Sequence, residues 1–283
     1  MQTVTQLDPL RNAVRALKAD GSVALVPTMG ALHEGHLTLV REAQSRAAHV
    51  VVSIFVNPLQ FGPNEDLHSY PRQLMADAAL LAAEGVSLLW APSAAEMYPD
   101  GFATNVLVSG RLSAGLCGAA RPGHFDGVAT VVCKLFNQVS PDLALFGEKD
   151  WQQLAVIRRM AQDLDLSLPS AAAIIGIPTV READGLARSS RNAFLSSEQR
   201  QAAAALPRAM QTAVAALRGG TAIPAVLLAL QAELRAAGFS AVDYAELRDA
   251  QTLARLDQLG TKPARLLVAA RIGSTRLIDN LPL

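Results

Sequence analysis

Short apolar runs, each cut off by a turn former and followed by a helical stripe, leave this chain few folds to choose from. Val23-Ala24-Leu25-Val26 stops at Pro27, the run from Val50 to Val56 stops at Asn57-Pro58, and Val86 to Trp90 stops just before Pro92. Leu37, Leu39 and Val40 recur at helical spacing between the first two, as do Leu74, Ala78 and Leu81 before the third. Leu143 to Phe146 and Ile174 to Ile177 add two further strands. Runs this nearly continuous in apolar residues suit parallel strands covered on both faces. Strand and helix alternating at this spacing require a parallel sheet.

Leu7, Leu10, Val14 and Leu17 predict an opening helix, and Val128, Val131, Val132, Leu135, Phe136 and Val139 predict a core helix. The segment 111–127 holds Gly115, Gly118, Gly123 and Gly127 and reads as an irregular loop able to move over a site. Beyond Pro178 the texture changes. Ser196 with Gln199 forms a capping box for an alanine-rich helix that Pro207 should kink. Gly219-Gly220 ends that helix, Pro224 opens another, and three strands follow near Val242–Leu247, Leu266–Ala270 and Leu277–Ile278. The expectation is an α/β chain: a Rossmann-like parallel-sheet N-terminal domain over 1–176 and a smaller α+β domain over 177–283.

Charge is balanced at 25 basic against 25 acidic residues, which gives no electrostatic footprint for nucleic acid. The apolar runs are strand-sized, short of the ~20 residues that span a bilayer. Asp8 and Arg11 break the layout of a signal peptide. Two cysteines, Cys117 and Cys133, are too few for a disulfide framework or a zinc site. A cytoplasmic protein without a membrane partner is expected.

Ligands of open α/β sheets bind outside the carboxyl ends of the strands. There the chain places Met29, His33 and His36, then Asn57 and Gln60, then Lys149, Asp150 and Gln153. The first group lies in Val26-Pro27-Thr28-Met29-Gly30-Ala31-Leu32-His33-Glu34-Gly35-His36, where a strand hands over to a helix. Backbone N–H groups and the positive end of the helix dipole should make it an anion site, with imidazoles donating to phosphate. A zinc-protease box would need histidine where Leu37 stands, no third metal ligand of matching spacing is evident, and the G-x-G-x-x-G fingerprint is absent. Lys149-Asp150 reads equally well as a solvated ion pair or as a phosphate lysine beside a carboxylate for Mg²⁺. Arg188-Ser189-Ser190-Arg191 is a basic loop or a clamp for pyrophosphate. Gln60 and Gln153 are surface amides or donors for a hydroxy acid. Arg121 and His124 read as ordering their own loop.

The segment from Pro27 to His36 resembles the HxGH signature of the nucleotidyltransferase superfamily, and within it the pantothenate synthetases (pantoate–β-alanine ligases). The likeness extends to Phe55-Val56-Asn57-Pro58-Leu59-Gln60-Phe61, Tyr70-Pro71-Arg72, Arg121 to Phe125, Gly147 to Gln153 and Ser189 to Asn192, in order. It implies ATP-dependent joining of pantoate to β-alanine through pantoyl adenylate, with ATP as substrate, Mg²⁺, and a homodimer. It further implies that Met29, Gly30, Ala31, Leu32, His33, Glu34, Gly35 and His36 bind ATP, with His36 as general acid. Gly147, Glu148, Lys149 and Asp150 match a second nucleotide loop, Val180 an adenine-side contact, and Ser189, Ser190 and Arg191 the phosphate motif. His33, Lys149 and Arg191 join His36 in the catalytic set, and Asp150 takes the metal. Gln60 and Gln153 match the pantoate amides, Gln60 also serving β-alanine. Arg188 departs from the pattern, standing where many relatives carry an apolar residue.

Two rival functions remain open at this point. Another HxGH nucleotidyltransferase with a phosphorylated acceptor would want cations at positions 60 and 153. A non-catalytic ATP-binding module could dispense with His33, His36, Lys149 or Arg191, and all four are present.

Overall fold

The structure, a computed structural model, describes residues 1–63, 65 and 67–283. The chain forms two units. The first comprises Met1–Ser109, Arg121–Glu148 and Gln153–Pro178, the second Gly110–Ala120, Lys149–Gln152 and Thr179–Leu283. A single cut between 176 and 177 leaves 110–120 and 149–152 with the first unit; their contacts place them with the second.

The first unit is a six-stranded parallel sheet of β1 (Gln2–Val4), β2 (Val23–Thr28), β3 (His49–Ile54), β4 (Leu88–Trp90), β5 (Leu143–Gly147) and β6 (Ile174–Ile177). Their spatial order is β1-β4-β3-β2-β5-β6. The chain winds one way from β2 to β3 and β4, then returns to put β5 on the other side of β2. That reversal is a topological switch point, and it lies at the carboxyl ends of β2 and β5. Val23 to Val26 and Val51 to Val52 are fully buried, as two-sided cover requires.

Pro27 does not end β2. It pairs in register with Ser53, and the strand runs on to Thr28. β5 contacts only Ala24 and Leu25, so from Pro27 onward β2 has one neighbour and the missing N–H breaks no ladder. The helix after the junction spans Glu34–Gln44, opening three residues before Leu37, the first residue of its apolar stripe. The core helix begins at His124, and the rest of the glycine-rich segment holds two single-turn helices, Arg111–Ala114 and Cys117–Ala120. Trp90 is fully buried and donates its indole N–H to Gln138 Oε1 at 3.0 Å.

The second unit holds a three-stranded antiparallel sheet, β7 (Ala241–Asp249), β8 (Ala264–Ile272) and β9 (Thr275–Pro282), with β8 central. Helices Ala205–Arg218 and Ile223–Ala236 share its core through Leu206, Met210, Leu230, Leu266 and Val268. The Ser196–Gln199 capping box is present. Pro207 bends nothing: the alanine-rich segment breaks at Ala204, and Pro207 sits in the first turn of the next helix, where its missing N–H has no role. Gln152 ties the inserted segment in, donating to the carbonyls of Leu112 and Gly115 and accepting from the Cys117 N–H. Among the described residues, no helix is long and apolar enough to cross a membrane.

Candidate active site

At the carboxyl end of β2 the chain turns through two left-handed residues, Gly30 at φ +82° and Ala31 at φ +51°. Nearly every N–H in this turn has an internal acceptor. Gly30 donates to Thr28 Oγ1 at 3.2 Å, and Ala31 and Leu32 donate to the two oxygens of Asp77, each at 2.9 Å. His33 donates to His36 Nδ1 at 3.3 Å, and Gly35 to His33 Nδ1 at 3.1 Å. The expected cradle of N–H groups for phosphate is therefore corrected: those donors serve the protein itself.

The same bonds define the imidazoles. Each Nδ1 accepts a backbone N–H, so each ring carries its proton on Nε2. The rings lie 4.1 Å apart between centroids. What the junction offers a phosphate is a pair of Nε2–H donors held at a helix N-terminus. Glu34 faces the other way and pairs with Arg41.

At the end of β3, Asn57 is fully buried and saturated. Its Nδ2 donates to Gln60 Oε1 at 2.9 Å and to the Gly127 carbonyl at 3.0 Å; its Oδ1 accepts from the Leu59 N–H and the Tyr98 hydroxyl. Gln60 Oε1 is thus engaged, and the side chain presents Nε2 as its donor end. Gly127 lets the core helix approach, because a Cβ there would stand 2.2 Å from the Leu59 carbonyl oxygen. Burial pushes the Tyr98 pKa well above its ordinary value, so the hydroxyl stays protonated and can donate to Asn57.

Arg121 and His124 bond each other within their own loop, as expected from the sequence, but they also order this turn, which the sequence did not suggest. Arg121 and His124 both donate to the Gln60 carbonyl, at 3.1 and 2.9 Å, and Arg121 forks onto Glu65 at 2.6 and 2.7 Å. Burial alone would raise the Glu65 carboxyl; the guanidinium bonds and charge outweigh it and hold the pKa at about 2. Gln153 lies on the helix following β5, half-buried. Among the described residues its side-chain amide has no hydrogen-bond partner. Gly147 closes β5 facing open space, and Glu148 packs against Gly176.

In the second unit, Lys149 Nζ lies 3.4 Å from Asp150 Oδ2, and its carbonyl accepts from Asn280 Nδ2 at 3.0 Å. The Val180 carbonyl accepts the Arg188 N–H at 2.9 Å. Ser189 caps a short turn over Ser190–Phe194, its Oγ accepting the Arg191 N–H at 3.3 Å. Ser190 and Arg191 are half-buried. Arg188 is no loose cation: it pairs with Glu182 at 3.0 Å.

Sequence reasoning named Asn57 only as part of the rim and passed over Asp77, Tyr98 and Asn280. The signal for Asp77 was present, since it shares a helical face with Leu74 and Leu81 on an otherwise apolar stripe.

Fold and junction together define an α/β protein of the HxGH nucleotidyltransferase type. The family model described as pantoate-beta-alanine ligase matches residues 2–282. A pantothenate synthetase of Novosphingobium aromaticivorans is 66% identical over 99% of this chain and 98% of its own length. One from Sphingopyxis alaskensis is 62% identical over 100% and 99%. The crystal structure of the Thermus thermophilus pantothenate synthetase superposes with a TM-score of 0.92 at 50% identity, covering 99% of both chains. That of the Francisella tularensis pantoate-beta-alanine ligase, complexed with beta-gamma ATP and beta-alanine, does so with 0.84 at 33%, covering 99% and 97%. The chain belongs to the pantoate–β-alanine ligase family and is a ligase.

Proposed function

We propose that the protein joins (R)-pantoate to β-alanine in two steps. A pantoate carboxylate oxygen attacks the α-phosphorus of ATP, the bond to the β-phosphate oxygen breaks, and pyrophosphate leaves with the electron pair. The β-alanine amine then attacks the acyl carbon of pantoyl adenylate, AMP leaves, and the amine loses its proton. The observation that carries this reading is the fixed pair of Nε2–H imidazoles in a chain matched end to end by the family. Such donors, oriented in advance, stabilise charge as it builds on the phosphate oxygens.

His33 and His36 serve as those donors within an ATP segment from Met29 through Gly30, Ala31, Leu32, Glu34 and Gly35. Gly147, Glu148, Lys149 and Asp150 hold nucleotide from the end of β5, with Val180 on the adenine side. Ser189, Ser190 and Arg191 hold the leaving pyrophosphate, with Arg188 beside them on the ATP segment but engaged by Glu182. Lys149 and Arg191 bring the cations the reaction requires. Gln60 and Gln153 bind pantoate, and Gln60 also meets β-alanine. Neutral amides at these positions favour a hydroxy acid over the phosphorylated acceptor of another nucleotidyltransferase.

Mg²⁺ belongs to the substrate in this reading. Among the described residues no three histidines, cysteines or carboxylates cluster as a metal site, and Asp150 can offer at most one ligand to an ion carried on the triphosphate. A homodimer in the cytoplasm completes the proposal.

The test is isotopic. Pantoate labelled with ¹⁸O in its carboxylate should deliver one label to AMP, because the attacking oxygen stays on phosphorus when the amine displaces it. Unlabelled AMP alongside pantothenate would refute an acyl adenylate.

A further inference from the structure

Asp77 stands outside every group assigned above, yet it is a charge driven wholly into the interior beside the junction. It lies in the first turn of the helix Leu74–Ala83, fully buried, 46 residues from the turn it touches. Oδ2 accepts the Ala31 N–H and Oδ1 the Leu32 N–H, both at 2.9 Å, and Gln73 Nε2 approaches Oδ1 at 3.3 Å. The positive end of its own helix faces the carboxylate as well.

Those two N–H groups come from the strained part of the turn. Ala31 sits at φ +51°, which costs an L-residue energy that glycine escapes. Gly30, at φ +82°, brings its Cα so near that a Cβ would stand 3.1 Å from Asp77 Oδ2 and 3.2 Å from Ile54 Cγ2. The N–H groups of Ala31 and Leu32, successive in this turn, point to one side and together form a two-donor nest for an anion. Here an internal carboxylate fills that nest.

We propose that Asp77 is a positioning residue for adenylate formation: its carboxylate occupies the nest between β2 and the following helix, fixes the Gly30–Ala31 turn, and so sets the two imidazoles. The inference rests on the reading of the reaction given above. Its consequence is a division of labour. The Ala31 and Leu32 N–H groups are reserved for Asp77, and contact with phosphate at this junction falls to the histidine side chains.

Asp77→Asn tests this with little change of shape. The carboxamide keeps one acceptor and turns an NH₂ against the second backbone N–H, so one of the two bonds becomes a repulsion. The rate of pyrophosphate release with ATP and pantoate should fall about a hundredfold, as a displacement of about 1 Å does to aligned reactants. KM for pantoate should hold, since Gln60 and Gln153 lie on other elements, and reaction of preformed pantoyl adenylate with β-alanine should keep its rate. Long-range ¹H–¹⁵N spectra of the imidazoles supply a readout independent of turnover. In the wild type both rings should show unprotonated Nδ1 and protonated Nε2; in Asp77→Asn the two tautomers should mix. A retained tautomer pattern, or a wild-type rate of adenylation, overturns the proposal. A wild-type enzyme that releases no pantoate-dependent pyrophosphate overturns the reaction instead, and the spectra still decide on Asp77. Should Asp77→Asn not fold, the double variant Ala31→Gly with Asp77→Asn carries the same measurements, because glycine takes the left-handed conformation unaided.

Discussion

The two segments proposed to meet the phosphates are built in opposite ways. From Gly30 to Leu32, and at His33 and Gly35, the backbone N–H groups are paired with Thr28, with a fully buried carboxylate and with the two imidazoles. From Arg188 to Asn192 a serine cap and an asparagine amide are among the bonds that hold a short turn, and two of its buried polar atoms, Arg188 Nε and Asn192 Oδ1, find no partner among the described residues. Its flanking cation pairs with a half-exposed glutamate. Buried, saturated bonds are costly to break, whereas exposed ion pairs contribute only ~0–1 kcal/mol. The histidine junction is therefore set before substrate arrives, and the turn over 188–192 keeps two buried polar atoms, Arg188 Nε and Asn192 Oδ1, left to satisfy when it does. Placement of the reacting phosphate rests on the first; adaptation to a departing pyrophosphate rests on the second.

The sharpest way to break this contrast is His36→Ala. Losing one prearranged donor should slow adenylate formation by about 10²–10³-fold while the protein folds normally. Wild-type turnover in the folded variant would remove the junction from the chemistry. Next comes Gly127→Ala, whose Cβ would meet the Leu59 carbonyl oxygen at 2.2 Å. The turn carrying Gln60 must shift, so denaturant unfolding should show a loss of about 1–3 kcal/mol together with weakened pantoate binding. Unchanged affinity would separate Gln60 from that turn.

Acid should act through Glu65. Its pKa is lowered from 4.5 to about 2, so its contribution is full above pH 4.5 and disappears as pH falls toward 2. Unfolding midpoints of the wild type and Glu65→Gln should differ at neutral pH and converge across that window; a gap that persists at pH 2 would contradict the assignment. The smallest effect belongs to Arg188→Leu. Because Glu182 already compensates the guanidinium on a half-exposed surface, KM for ATP should change less than about fivefold. A tenfold or larger change would show that Arg188 binds phosphate directly.

Local signals made much of this legible. Apolar runs with punctuation between them revealed five of the six strands of the parallel sheet, and Ser196 with Gln199 marked a helix start that the structure keeps. Only Gln2–Val4 escaped, a three-residue edge strand too short for any period. Pro27 misled because its effect depends on how far a neighbouring strand extends, which no local pattern records. Distance along the chain hid the rest. Asp77 meets Ala31 from 46 residues away, and Gln152 binds Gly115 from 37 away to draw 110–120 into the second unit. Arg188 looked like an extra cation until Glu182 was seen beside it. The histidines were visible at once, but their tautomer follows only from which N–H groups reach Nδ1. Naming the site residues drew on likeness to a family; the bonds that hold them came from the structure.

The central claim is that pantoate is activated before β-alanine takes part. Pyrophosphate release should be followed with ATP, Mg²⁺ and pantoate, and β-alanine added afterwards. The account predicts a pantoate-dependent burst, then steady turnover with AMP once β-alanine arrives. Release that ignores pantoate, or none until β-alanine is present, would contradict it.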